Sequence, residues 1–359
     1  MTSAPSPAHI RHEYIQRATG AKMWERPLGD RLVGLVYSRV RERAPRLFTA
    51  LTSRRATDFL STIHYDIRRR CDGRALLARI GADAAECLDP PECLDTPRKV
   101  FERRIRYWQC RPMEDDESAV VSPADARVLI GSLAEQHLLF LKENFFSGAE
   151  LLGHKDPWAP RFAHGDYAIF RLTPDKYHYN HLPVSGRVID IYTIDGEFHS
   201  CNPAAVLALG LLHARNRRVV TVFDTDVPEG SGVGLVAMVE VVAMMIGDIV
   251  QCYSDERYDA PRPLAPGMFL KKGQPKSLYR PGSSTDVLLF EPGRIRFAAD
   301  LRQHGRRVDV QSRYSMGLGR PLVEIDLRLR STIGHGRLLP PTTSPCTALS
   351  CRRHSSSPC

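Results

Sequence analysis

Arg280-Pro281-Gly282-Ser283-Ser284-Thr285-Asp286-Val287-Leu288-Leu289-Phe290 is the stretch on which the reading of the fold turns. Its second half, Asp286–Phe290, is a β-like apolar run, and its first half is a polar turn punctuated by proline and glycine. Similar runs lie upstream at Ala119–Val121, Tyr167–Leu172, Val188–Ile194 and Arg218–Phe223, several of them separated by turn signals such as Asp195-Gly196. Two helical patches interrupt the strands, Glu135–Phe146 and Pro203–His213, the second opening with proline at a first helical position after Asn202. The pattern predicts an α+β fold: a strand-rich core with peripheral helices and a helical N-terminal region.

Working outward, residues 1–90 read as helical and basic. Within Asp30–Arg43, Val33, Val36, Tyr37 and Val40 recur at helical spacing, with Arg31, Arg39, Arg41 and Arg43 elsewhere on the cylinder. Pro45 ends or kinks that helix. Its stripe suits packing on the protein's own core, or a helix lying on anionic lipid. Pro90-Pro91 and Pro97 mark the entry to a second region, 91–334, expected to hold the chemistry. Residues 335–359, rich in Ser, Pro, Thr and Arg, are expected to be a disordered tail.

Composition narrows the classes. The hydrophobic and charged fractions, 43% and 25%, are those of a globular chain. The formal charge of +9 favours acidic partners, yet no zinc finger, aromatic RNA-binding signature or zipper-linked basic region accompanies it, so no nucleic-acid partner is expected. Nine scattered cysteines without a C-x-x-C pair suit a reducing compartment and support no zinc site. The longest apolar region, Val233–Ile246, carries Glu240 and falls short of the ~20 residues a spanning helix needs. A cytoplasmic chain without a signal peptide or transmembrane segment, open to peripheral contact with an anionic membrane, is the expectation.

Three segments carry candidate chemistry: Val121-Ser122-Pro123-Ala124-Asp125, then Asp175-Lys176-Tyr177-His178-Tyr179-Asn180-His181-Leu182-Pro183-Val184-Ser185-Gly186, then the opening stretch. Asp125, His181 and Ser283, in that order, are compatible with a triad in which a carboxylate orients an imidazole that deprotonates a hydroxyl. Each also has a plain structural reading: a turn residue, a buried histidine, a polar hairpin. His178-x-x-His181 lacks a third ligand at convincing spacing, so no metal is expected.

Taken jointly, the three segments resemble the signature of the phosphatidylserine decarboxylase family: Ser-Pro-Ala-Asp-Gly, Asp-Tyr-His-x-x-His-x-Pro-Val-x-Gly, and Gly-Ser-Thr or Gly-Ser-Ser before an apolar strand. Phe101-Glu102-Arg103-Arg104 with Arg111-Pro112, Leu151-Leu152-Gly153, Arg171-Leu172, Asn216-Arg217-Arg218 and Val241-Val242-Ala243 extend the likeness over about residues 98–300. Departures are Ala126 for Gly, Lys176 for an acidic residue, Val242 for Gly, the missing acidic residue and Gly within Gln274–Ser277, and one extra residue between Gly282 and Phe290. The extra residue leaves Ser284 as an alternative to Ser283, although only Ser283 follows a glycine.

The resemblance implies a self-processing enzyme. The Ser283 hydroxyl would attack the carbonyl of Gly282, and the resulting ester would eliminate, leaving a pyruvoyl group on the smaller chain. His181 would be the base, Asp125 would fix its tautomer, and His178 would supply the proton to carbon after carbon dioxide leaves. Gly282 suits a strained scissile peptide because it has no side chain. The implied cofactor is thus pyruvate made from Ser283. The implied substrate is phosphatidylserine, with a free amino acid such as tryptophan as the alternative and an uncut Ser-His-Asp hydrolase as the competing class. A homodimer of processed chains is the implied assembly.

Overall fold

The structure, a computed structural model, describes residues 11–25, 30–66, 71–136, 148–209, 212–243, 248–281 and 284–337. In chain order the first strands are β1 (His12–Gln16), β2 (Ala21–Glu25), β3 (Ala119–Val121), β4 (Ala126–Ser132), β5 (Asp166–Leu172) and β6 (Tyr179–His181). Then come β7 (Gly186–Ile194), β8 (Arg218–Asp224), β9 (Leu235–Val241), β10 (Ile249–Gln251), β11 (Phe269–Leu270) and β12 (Pro275–Tyr279). The last are β13 (Ser284–Phe290), β14 (Ile295–Phe297), β15 (Ile325–Leu327) and β16 (Thr332–Gly336). They form a ten-stranded sheet, β11-β7-β8-β9-β13-β5-β4-β15-β1-β2, and two three-stranded sheets, β10-β12-β6 and β14-β16-β3. The α+β expectation is met.

The run Val287–Phe290 is continuously apolar because β13 is central and covered on both faces. Leu288 and Phe290 join a core with Tyr279, Val120, Ile295 and Ile333, residues of the small sheets. Val287 and Leu289 face a second core with Tyr37, Leu151, Phe162, Val206 and Tyr314, residues of the helical layer. Val33 and Tyr37 are buried there, so the stripe of residues 30–43 packs on the protein itself. Helical turns run through Asp30–Leu35, Val36–Val40 and Arg41–Arg43 until Ala44 leaves helical geometry ahead of Pro45.

Part of the N-terminal region departs from the helical expectation. Residues 12–25 form a hairpin whose β1 pairs in parallel with β15, so this segment completes the main sheet. Side-chain charge holds it there. Arg171 donates to both Glu25 and Glu324, Arg127 pairs with Glu25, and His12 contacts Glu324 at 2.7 Å. His12, Glu25 and Glu324 come close enough to suggest a metal, but the two arginines already neutralise both carboxylates. At the other end β16 continues into the expected tail as far as Gly336, while residues 338–359 lie outside the described residues. Most of the expected helix Glu135–Phe146 also lies outside them, and its start falls in the helical turn Leu133–Gln136. No helix among the described residues is long and apolar enough to cross a membrane.

Candidate active site

The first segment forms the turn between β3 and β4. The Ser122 hydroxyl donates to the Ala124 carbonyl, closing the turn locally. Asp125 is buried and bound by Arg111 through two parallel hydrogen bonds of 2.9 and 2.8 Å, and it also accepts the Leu329 amide at 2.8 Å. Arg111 reaches on to Glu86. Burial alone would raise the Asp125 carboxyl, but the Arg111 hydrogen bonds and charge outweigh it and hold the group below its usual range.

The second segment is stitched by backbone to the first and to β12, the strand that leads into the third. The His181 amide donates to the Pro123 carbonyl at 2.7 Å, and β6 pairs with β12 with His181 opposite Pro275. The His181 ring is fully buried, with Nδ1 2.9 Å from the Gly273 carbonyl and Nε2 3.0 Å from the Tyr177 hydroxyl. A carbonyl can only accept, so Nδ1 carries the proton and Nε2 presents its lone pair. Gly273 takes φ +76°, a conformation that favours glycine. Tyr177 is backed in turn by Tyr258 at 2.7 Å. Burial lowers the His181 imidazole to about 3, although the Gly273 hydrogen bond works the other way.

The expected contact between Asp125 and the His181 imidazole is not formed. Among the described residues Asp125 is bonded to Arg111 and to the Leu329 amide, and the tautomer of His181 is fixed by a backbone carbonyl instead. The reason is electrostatic: a buried carboxylate takes the strongest available partner, and the planar guanidinium fork fits both its oxygens.

His178 lies on the other side of β6. Its ring stacks on Phe101 with centroids 3.6 Å apart and planes 25° apart, and neither ring nitrogen has a side-chain hydrogen-bond partner among the described residues. Burial, then the nearby charge of Arg103, holds its pKa well below the usual value. Its carbonyl accepts the amide of Tyr279, the last residue of β12. The two histidines are thus engaged separately.

The third segment enters through Arg280, whose amide donates to Asp248 and whose guanidinium meets Glu102 at 2.7 Å. Gly282 and Ser283 lie outside the described residues. On their far side Ser284 opens β13 opposite Leu172, its hydroxyl buried and without a partner among the described residues. The chain flanking residues 282 and 283 therefore runs beside the second segment, which in turn is bonded to the first.

Sequence reasoning had no view of Gly273, because a carbonyl carries no side-chain signal. It noted Glu240 as the one charge in the Val233–Ile246 run without a role; the structure pairs it with Lys276 in the core beside β6.

The buried imidazoles set an acid limit. His181 is lowered to about 3 and His213 to about 4, each chiefly by burial, and His178, His12 and His199 are lowered for the same leading reason. Groups with depressed folded pKa values bind fewer protons folded than unfolded, so their contribution is complete above about 6.5 and is lost as pH falls from there toward 3. Asp286, raised well above its usual value by burial and Glu240, works in the opposite sense but is a single group. The urea midpoint is expected to fall steadily between pH 7 and pH 5; an unchanged midpoint over that range would mean these rings are not held neutral.

The comparisons with known proteins agree with this architecture. Residues 98–315 match the model of the phosphatidylserine decarboxylase family. The chain is similar to a phosphatidylserine decarboxylase proenzyme of Photobacterium profundum, at 29% identity over 75% of this chain and 91% of the relative. It is similar to proenzymes of the same name from Bordetella petrii, at 33% identity over 61% and 77%, and from Chlamydia trachomatis, at 34% over 61% and 68%.

Proposed function

Because this chain belongs to the phosphatidylserine decarboxylase family, we propose that it is a carboxy-lyase converting phosphatidylserine to phosphatidylethanolamine, made active by cutting itself between Gly282 and Ser283. The observation that carries the reading is the backbone stitching of the three segments: Pro123 to His181, His178 to Tyr279, and Leu172 beside Ser284. The catalytic unit is taken as residues 91–334, which contain the matched stretch.

In this reading Ser283 is the nucleophile and His181 Nε2 receives its proton, the ring being pre-set by the Gly273 carbonyl. Tyr177 hydrogen-bonds that same nitrogen, so its hydroxyl must yield or relay the proton. Asp125 anchors the turn whose Pro123 carbonyl holds the His181 amide, and its negative charge favours the imidazolium. Pyruvate formed from Ser283 would supply an electron sink for the decarboxylation. The buried polar atoms without partners among the described residues, His178 Nδ1 and Nε2 and Ser284 Oγ, suit a site built around such a group. His178, whose pKa burial holds well below the usual value, would handle the proton at carbon. Intact mass and denaturing electrophoresis of the wild-type chain test the reading. Two fragments, the smaller blocked at its N-terminus and sensitive to borohydride, are expected, whereas a lasting single chain with esterase turnover favours the hydrolase. Sedimentation of the cut protein checks the homodimer the family implies.

A lipid substrate rather than a free amino acid is favoured by the helical segment that follows Pro45. Leu47, Phe59 and Ile63 are exposed (52%, 66% and 42%), and Arg46, Arg54 and Arg55 are exposed around them. An apolar face rimmed by arginine is the composition of an interfacial helix on anionic lipid. The same segment touches the site: Tyr65 packs edge-on to Phe101, which stacks on His178. Phe59→Glu is expected to weaken binding to phosphatidylglycerol vesicles about 10- to 100-fold, the loss of one buried aromatic side chain. Cosedimentation unaffected by that change would return the free amino acid to first place.

A further inference from the structure

Next to the chain ends that flank residues 282 and 283, β9, β12 and β13 bury a polar network for which the function proposed above has no use. Asp286 on β13 stands directly opposite Glu240 on β9, and both are fully buried together with Lys276 of β12. Lys276 Nζ donates to Glu240 Oε2 at 2.6 Å and to Gln251 Oε1 at 2.9 Å, and Gln251 Nε2 donates to the same glutamate oxygen at 2.8 Å. The Ser277 hydroxyl and the Asn180 amide occupy Glu240 Oε1. One ammonium balances one carboxylate, and a second ionised carboxylate facing the first would stand uncompensated in the core. Glu240 carries the charge because Lys276 lies on it, which leaves Asp286 as the neutral member.

Asp286 has one hydrogen bond of its own. The Tyr279 hydroxyl, 2.7 Å from Asp286 Oδ1, also lies 3.0 Å from the Thr285 carbonyl, while Asp286 Oδ2 has no partner among the described residues. Tyr279 is the last residue of β12, and Thr285 and Asp286 follow Ser284 at the start of β13. The hydroxyl therefore ties together the two chain ends that flank residues 282 and 283. Arg280 is held on one side by Asp248 and Ser284 on the other by the ladder with β5.

We propose that Tyr279 and Asp286 are positioning residues that clamp the two chain ends flanking residues 282 and 283 and set the rate of self-processing, with Asp286 kept uncharged by the Glu240–Lys276 pair. The clamp rests on the reading that the chain cuts itself at Ser283. Its logic is geometric: a hydroxyl attacking the neighbouring carbonyl needs near-attack alignment, and a displacement of about 1 Å can reduce such a rate about 100-fold. Removing the hydroxyl leaves the ladders of β13 with β5 and β9 in place, so the strands stay paired while the two ends lose their tie.

The test follows cleavage of freshly synthesised full-length chain by denaturing electrophoresis and intact mass. Tyr279→Phe, Asp286→Asn and Asp286→Leu are compared with wild type, and each is also made with Ser283→Ala for urea unfolding. Tyr279→Phe and Asp286→Leu are expected to cut at least about tenfold more slowly. Asp286→Asn is expected to stay near the wild-type rate, because its amide oxygen accepts the same hydroxyl without charge. The urea midpoint of Asp286→Asn should match that of Ser283→Ala alone, while that of Tyr279→Phe should fall, because the buried Asp286 carboxyl and Thr285 carbonyl lose their hydroxyl. Wild-type cutting in Tyr279→Phe overturns the clamp, as does an Asp286→Asn as slow as Asp286→Leu, or cutting rates of Tyr279→Phe and Asp286→Leu that equal that of the wild type without urea at low temperature, where every variant is folded. A wild-type chain that never cuts is a different result: it removes processing itself, and the clamp with it, before any variant is compared.

Discussion

Ser283→Ala is expected to leave one uncut chain of 359 residues, where the wild type yields a chain of 282 and one of 359 − 282 = 77. The effect is all-or-none because the hydroxyl is both the attacking group and the atom that departs with the Gly282 carboxylate when the ester eliminates; no neighbouring atom can take over both parts. The companion variant Ser284→Ala separates the two serines. Ser284 already sits in the ladder opposite Leu172, its backbone committed to β13, whereas Ser283 follows the glycine. Ser284→Ala should therefore still cut, and the mass of the smaller fragment should still correspond to 77 residues less the change at position 284. A Ser283→Ala chain that cuts one residue later would move the chemistry to Ser284.

Arg111→Ala is expected to destabilise the fold by roughly 3–5 kcal/mol at neutral pH, the cost of breaking a buried ion pair from one side. Arg111 is buried and gives Asp125 two hydrogen bonds, and the only other hydrogen bond Asp125 receives among the described residues is from the Leu329 amide. Against a typical total of about 5–15 kcal/mol, that is a large fraction. Glu86, on the far side of Arg111, is partly exposed and can turn to water, so the penalty centres on Asp125. With the arginine gone, burial is left to raise the Asp125 carboxyl, and protonation relieves the penalty; the deficit should shrink as pH falls. Arg111→Lys should recover only part of it, since a point charge cannot serve both oxygens as the fork does. Urea unfolding in the Ser283→Ala background at two pH values measures this, and a loss below about 1 kcal/mol would mean that the pair contributes no more than an exposed one.

Much of the core was legible because its strands are short apolar runs between turns. Ala119–Val121 and Arg218–Phe223 fall within the strands read for them, and the stripe at Val33 and Tyr37 faces the core as its spacing implied. The hairpin at residues 12–25 was not legible. Its strands mix charges with aromatics, and what holds β1 is a partner some three hundred residues away, Ile325 opposite Ile15. β12 escaped for a related reason: Pro275, Lys276 and Ser277 carry no apolar run to mark a strand, and the burial of Lys276 depends on its pairing with Glu240. At the site, residue types and order singled out segments whose neighbourhoods the strands bring side by side, but which atom orients His181 depends on a carbonyl at Gly273 and on a competition for Asp125 that Arg111 wins.

The placement of β13 between β9 and β5 has a further consequence for the cut protein. The smaller product would own β13, β14, β15 and β16, and two of these are threaded between strands of the larger one, with β15 lying between β4 and β1. The two polypeptides would be braided, neither keeping a complete hydrophobic layer alone. Severing the backbone would then release nothing while the fold lasts. Maturation becomes a one-way door: a protein unfolded after the cut has to find its other half again by diffusion, a second-order search that the uncut precursor never faces.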